Sequence, residues 1–135
     1  MASTTFSGPV TSTNGFIGAI TGNVSGNVTG NVTGNVTGDI FSSVQSLSGA
    51  GAVNLTDMLT SLTTTAASQA LTLADGTVGQ IKIITHTVDG GSAVLTPTTK
   101  IGFTTITFTA VGDTATLIYT SAGWAIIGSR GVTIA

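Results

Sequence analysis

Cysteine and glutamate are absent from this chain of 135 residues, and histidine, tryptophan and tyrosine occur once each. Without cysteine there is no disulfide scaffold, no haem-attachment motif and no thiolate zinc site. Lysine and arginine total three and aspartate five, for a net charge of −2. Charged residues make up 6% of the chain, against roughly a quarter in an ordinary globular domain. Lys82, Lys100 and Arg130 are too few to neutralise a run of phosphates, so no nucleic-acid partner is expected. A polybasic membrane anchor is missing for the same reason. No apolar run approaches the ~18 residues of a spanning helix, and no membrane partner is expected. Residues 1–4 (Met-Ala-Ser-Thr) bring neither a basic nor an apolar stretch, so a secretory signal is not expected.

What fills the chain is small: 28 threonines, 19 glycines and 13 serines. An apolar content of 41% with so little charge argues against disorder over most of the length. Threonine, valine and isoleucine favour strands, and glycine with Asp-Gly pairs favours turns. Low charge gives little colloidal protection. A chain of this kind is expected inside an assembly, with its apolar surface covered.

A four-residue unit recurs six times from Gly18 to Phe41, with the form Gly-Asn-Val-Thr. Glycine at every fourth position, with β-branched valine and threonine between, is unsuited to a helix. Collagen needs glycine at every third position. An extended segment fits, because side chains alternate along a strand. Ile20, Val24, Val28, Val32, Val36 and Ile40 then share one narrow face with the glycines, and asparagine and threonine hydrate the other. A lone strand has nothing to bury that valine row against. Several copies around one axis do, and three narrow faces close a prism. Fully extended, residues 18–41 span ~80 Å at ~3.3 Å per residue.

The chain therefore reads as an N-terminal arm at 1–17, the extended repeat at 18–41, a flexible connection at 42–52 and a compact β-domain at 53–135. Candidate strands are 53–56, 58–65, 70–73, 78–88, 92–96, 104–110, 114–120, 124–128 and 131–134. Turn signals such as Asp75-Gly76, Asp89-Gly90 and Gly112-Asp113 lie between them. Strands at this spacing predict an all-β fold, a small antiparallel sandwich or barrel. A domain of this size favours oligomerisation, here a homotrimer.

The chemistry-bearing inventory is sparse. Serine is plentiful, but His86 is its only histidine partner, and no Gly-x-Ser-x-Gly elbow is present. His86 reads as a structural or interface histidine, or, repeated around a three-fold axis, as a metal ligand or pH sensor. No two aspartates are close enough in sequence for a calcium loop, which leaves only calcium shared across subunits. The glycine repeat lacks the Gly-Lys-Ser/Thr ending of a phosphate loop. The Asn-Val-Ser/Thr triplets and Asn54-Leu55-Thr56 match the glycosylation pattern but follow from the repeat's composition. Trp124, with Tyr119 and Phe108, reads either as a sugar platform or as a core or subunit-interface aromatic. A glycan lyase on a β-scaffold would have almost no acid–base groups to work with. Neither a cofactor nor a catalytic residue is expected. The expected interface residues, toward a sister chain or a capsid, are Ile20, Val24, Val28, Val32, Val36, Ile40 and Trp124.

From Leu71 onward the chain resembles a known family. The residues are Leu-Thr-Leu-Ala-Asp-Gly-Thr-Val-Gly-Gln-Ile-Lys at 71–82, Asp-Gly-Gly at 89–91, Thr-Pro-Thr at 96–98, Ile-Thr-Phe-Thr-Ala-Val-Gly-Asp at 106–113, Thr-Leu-Ile-Tyr-Thr at 116–120 and Trp-Ala-Ile-Ile-Gly at 124–128. They resemble the small β-domain of virion structural proteins of tailed bacteriophages, cyanophages especially. The Gly-Asn-Val-Thr array is similar to repeats in phage fibre and capsid-decoration proteins. The resemblance implies a non-enzymatic trimer on the capsid surface, made in the host cytoplasm. Its partners would be sister copies and the major capsid protein or another virion protein. Capsid cement is the leading expectation, and a short tail or head fibre binding the host surface is the alternative.

Overall fold

Threonine- and β-branched-rich segments separated by glycine corners give strands throughout. The computed structural model describes residues 37–38 and 41–135, and among them there are ten strands and no helix. The chain divides into two units, Met1–Thr37 and Gly38–Ala135, and the ten strands lie in the second. The arm expected at 1–17 lies outside the described residues. So does the repeat apart from Thr37, Gly38 and Phe41, and with it Ile20, Val24, Val28, Val32, Val36 and Ile40.

The strands are β1 (Val44–Ser48), β2 (Gly51–Val53), β3 (Leu59–Thr63), β4 (Gln69–Leu73), β5 (Ile81–Val88), β6 (Ala93–Pro97), β7 (Ile106–Phe108), β8 (Thr114–Thr120), β9 (Gly123–Arg130) and β10 (Thr133–Ile134). They form two five-stranded sheets, ordered β1-β3-β5-β8-β9 and β10-β7-β6-β4-β2. From β1 to β6 the chain alternates between the sheets. Strands that meet within a sheet run parallel: β1 with β3 and β3 with β5, β2 with β4 and β4 with β6. The first six strands are therefore three stacked coils. The last four each pair antiparallel with their neighbours: β8 and β9 extend the first sheet and β7 and β10 the second.

The all-β expectation holds, but the sheets are mixed and do not close into a barrel. Four of the five corners within β1–β6 are as short as hairpin turns, yet they pass the chain to the opposite sheet instead of back beside its neighbour. One such corner shows why glycine is required. Gly91, just before β6, has φ of 144°, and a Cβ there would lie 2.4 Å from the carbonyl carbon and oxygen of Ala66 in the corner before β4. Successive corners pack backbone to backbone, which only glycine permits.

The serine-rich stretch 42–52, expected as a flexible connection, instead contains β1 and the start of β2. β1 pairs with β3, and the Gln45 amide bridges the two sheets. Its Nε2 donates to the Ala52 carbonyl (2.8 Å), and its Oε1 accepts from the Asn54 amide (2.9 Å) and the Thr60 hydroxyl (3.0 Å). Between the sheets, Leu62, Ile84 and Leu117 share one buried core with Leu71, Leu95, Ile106 and Phe108. Trp124 joins that core, stacks edge-on to Tyr119 (centroids 5.1 Å apart) and donates its indole N–H to the Ala74 carbonyl at 2.9 Å.

Candidate assembly surface

Alternation along β5 creates two faces. One carries Ile81, Ile83, Thr85 and Thr87; the other carries Lys82, Ile84 and His86. The fold buries the second. Lys82, Ile84 and His86 are 0% exposed, while Ile81 stays 40% exposed and Ile83 half-buried. A lysine and a histidine are thus inside, and two isoleucines face outward.

The buried polar groups are held by backbone. Lys82 Nζ donates to the Asp57 carbonyl oxygen. Burial drives the Lys82 pKa below its ordinary value, opposed in part by the Asp57 charge. Asp57 itself is held low by hydrogen bonds from the Ser43 and Asn54 side chains. His86 Nε2 lies 3.0 Å from the buried Thr64 hydroxyl. That hydroxyl accepts from the Gly90 amide (2.9 Å), and its one proton is directed at the Gly91 carbonyl (3.0 Å). His86 Nε2 meets that hydroxyl as donor or acceptor according to its tautomer, and the buried Nδ1 has no partner. Asp113 is buried beside this corner. Burial raises its pKa, but the Thr109 and Ala110 amides, the Thr109 hydroxyl and His86 outweigh that and hold it below the ordinary carboxylate value.

On the outside of the first sheet, Val44, Leu59 and Ile83 are paired in one row across β1, β3 and β5. Ile81, Ile118 and Ala125 form the next row across β5, β8 and β9. Ile127 adds to them at the irregularity where the β8–β9 register shifts. Val44 is 50% and Ile127 58% exposed. A flanking row is hydroxylated: Ser46, Ser61, Thr85 and Thr114, ending at Arg130. Arg130 is the one charge on the outward side of these five strands. The second sheet turns out Ala52, Ala70, Thr72, Val94, Thr96 and Thr107, which are small or hydroxylated. The two outer faces therefore differ in kind.

The sequence-level candidates are placed as follows. Trp124, expected at an interface, is a core residue of the single chain. It forms no sugar platform, because both it and Phe108 are fully buried. His86 points into the chain's own interior and presents nothing to a three-fold axis. Among the described residues, each aspartate outside the Lys82 cluster ties a corner: Asp75 accepts from Thr99, Asp89 from Gly91, and Asp113 from Thr109 and Ala110. Among the described residues no three histidine or acidic side chains gather to hold a metal, and no cavity opens. The residues that sequence reading missed are Val44, Leu59, Ile81, Ile83, Ile118 and Ile127. The available signal was that β5 is apolar on both faces, whereas a half-solvated strand alternates. No family model matches the chain, and no curated protein is similar enough to match it.

Proposed function

We propose that this chain is a non-enzymatic structural protein of a tailed-phage virion, a homotrimeric cement or decoration protein on the capsid surface. The observation that carries this reading is the orientation of β5, with Lys82 and His86 inside and Ile81 and Ile83 outside. Burying one isoleucine side chain is worth about 1.5–3 kcal/mol, and burying a lysine ammonium is unfavourable. A strand of a solitary monomer would gain more from the reverse orientation, which buries two isoleucines instead of Ile84 alone. A strand whose outer face is covered by protein gains on both sides. With almost no charge on that face, the cover is apolar and hydroxylated polypeptide. Sister copies and the major capsid protein, or another virion protein, are the partners that fit.

The action would be mechanical. A protein that binds only the intact shell stabilises it by mass action. Particles stripped of this protein are expected to open at lower temperature or internal pressure than complete ones, and to recover when it is added back. Equal survival of stripped and complete particles rules out cementing.

A second reading is a short trimeric tail or head fibre that binds the host surface. The coils favour it, because they stack in one direction and end in antiparallel strands, as at the tip of a shaft. It predicts that the full chain binds host cells or their polysaccharide without any shell present.

A further inference from the structure

We infer that the outward face of the first sheet, centred on Val44, Leu59, Ile83, Ile81 and Ile118, is the surface by which copies of this chain pack on one another. The inference rests on the trimeric reading above and assigns the face that makes the trimer.

Three observations single out a sister copy as the occupant. First, the two aliphatic rows are in register across the strands, so they form a continuous stripe and not scattered exposed residues. Second, the strand residues of the stripe are uncharged, with Asp57 just before β3 at its edge and Arg130 at the far end of a flanking row. A face with so little charge has no steering or selective ion pairs to offer a foreign partner, whereas aliphatic and hydroxyl rows of identical chains pack on one another without opposing like charges. Third, the chain enters the described fold at this face. The residues outside the structure end at Ile40, and β1 begins at Val44, whose side chain opens the first aliphatic row. The sequence of that outside segment carries its own valine row, which needs sister chains for burial. That segment ends four residues before Val44, so the stripe begins next to the part of the sequence expected to need sister chains. The second sheet turns out alanine, threonine and the half-buried Val94, with no comparable row of large aliphatic side chains.

The absence of cysteine permits a clean test on the full chain. Ile83→Cys places one thiol in the stripe, and Thr72→Cys places one on the outward side of the second sheet. Each variant is treated with a short bismaleimide and run on a denaturing gel, and the mass of the untreated protein is measured by light scattering. The expected result is that Ile83→Cys forms linked dimers in at least tenfold greater yield than Thr72→Cys. Ile83→Asp, with its strand content checked by circular dichroism, is expected to dissociate at least tenfold more readily than the parent. If the protein is trimeric but the two thiols link equally and Ile83→Asp stays assembled, this face is not the interface, although the trimeric reading stands. A parent that is monomeric at micromolar concentration overturns both.

Discussion

Thr64 is one of 28 threonines, yet it should behave unlike the others. It is buried at the corner after β3, and its hydroxyl engages His86 Nε2, the Gly90 amide and the Gly91 carbonyl at 2.9–3.0 Å. Thr64→Val keeps the shape and removes those bonds. His86 is fully buried, so its Nε2 loses its partner out of reach of water, at a cost of about 1–3 kcal/mol. The two glycine groups are nearer solvent and add about 1 kcal/mol together. The expected loss is about 3 kcal/mol. For a unit near 100 residues, each kcal/mol moves Tm by about 4–8 °C, so the midpoint should fall by about 12–24 °C. Thermal and urea unfolding followed by circular dichroism measures this. Two controls isolate the hydroxyl: Thr64→Ser should retain most of the stability, and Thr72→Val, outward on β4, should change it by less than about 0.5 kcal/mol. A loss below about 1 kcal/mol in Thr64→Val, or an equal loss in Thr64→Ser, refutes the account of this corner.

Lys82→Met should raise stability at pH 7 by about 1 kcal/mol, because relief of the buried charge exceeds the loss of one hydrogen bond to the Asp57 carbonyl. Since the folded-state pKa of Lys82 lies below 10.5, the unfolded chain holds that proton longer as pH rises. Parent stability should therefore climb between the folded value and 10.5, and urea midpoints of Lys82→Met should lack that climb. Asp113 has a folded pKa below 3.8, so its contribution is present above 3.8 and lost as pH falls through the folded value. Asp113→Asn should lower stability at pH 7 and flatten the acid limb of the unfolding curve. Gly91→Ala forces a Cβ onto the Ala66 backbone at a φ of 144° and should cost more than about 2 kcal/mol by denaturant titration.

Much of the strand pattern was legible in the sequence. The segment 114–120 matches β8 residue for residue, and 70–73 and 92–96 fall within one residue of β4 and β6. Parallel stacking was not legible, because a corner of a few residues looks the same whether it returns the chain beside its neighbour or hands it to the opposite sheet. β1 was missed because Ser42, Ser43, Ser46 and Ser48 resemble a linker, and its pairing depends on β3, distant in sequence. The two faces of β5 could be separated by alternation, but which one lies inside could not. Lys82, Ile84 and His86 go inside because Thr64 and the Asp57 carbonyl receive the polar ends, and neither contact is local to β5. For the same reason the outward isoleucines did not stand out as a surface. Trp124 was ambiguous between core and interface until the Ala74 carbonyl, fifty residues away, was seen to take its indole N–H.

The claim that most depends on is that the outward aliphatic stripe is covered by copies of the same chain. Sedimentation equilibrium of the full-length protein, with no other component added, tests it most directly. The mass should be three times the 13.2 kDa of one chain and fall when Ile83 is replaced by aspartate. A 13.2 kDa particle that persists as protein concentration is raised contradicts it.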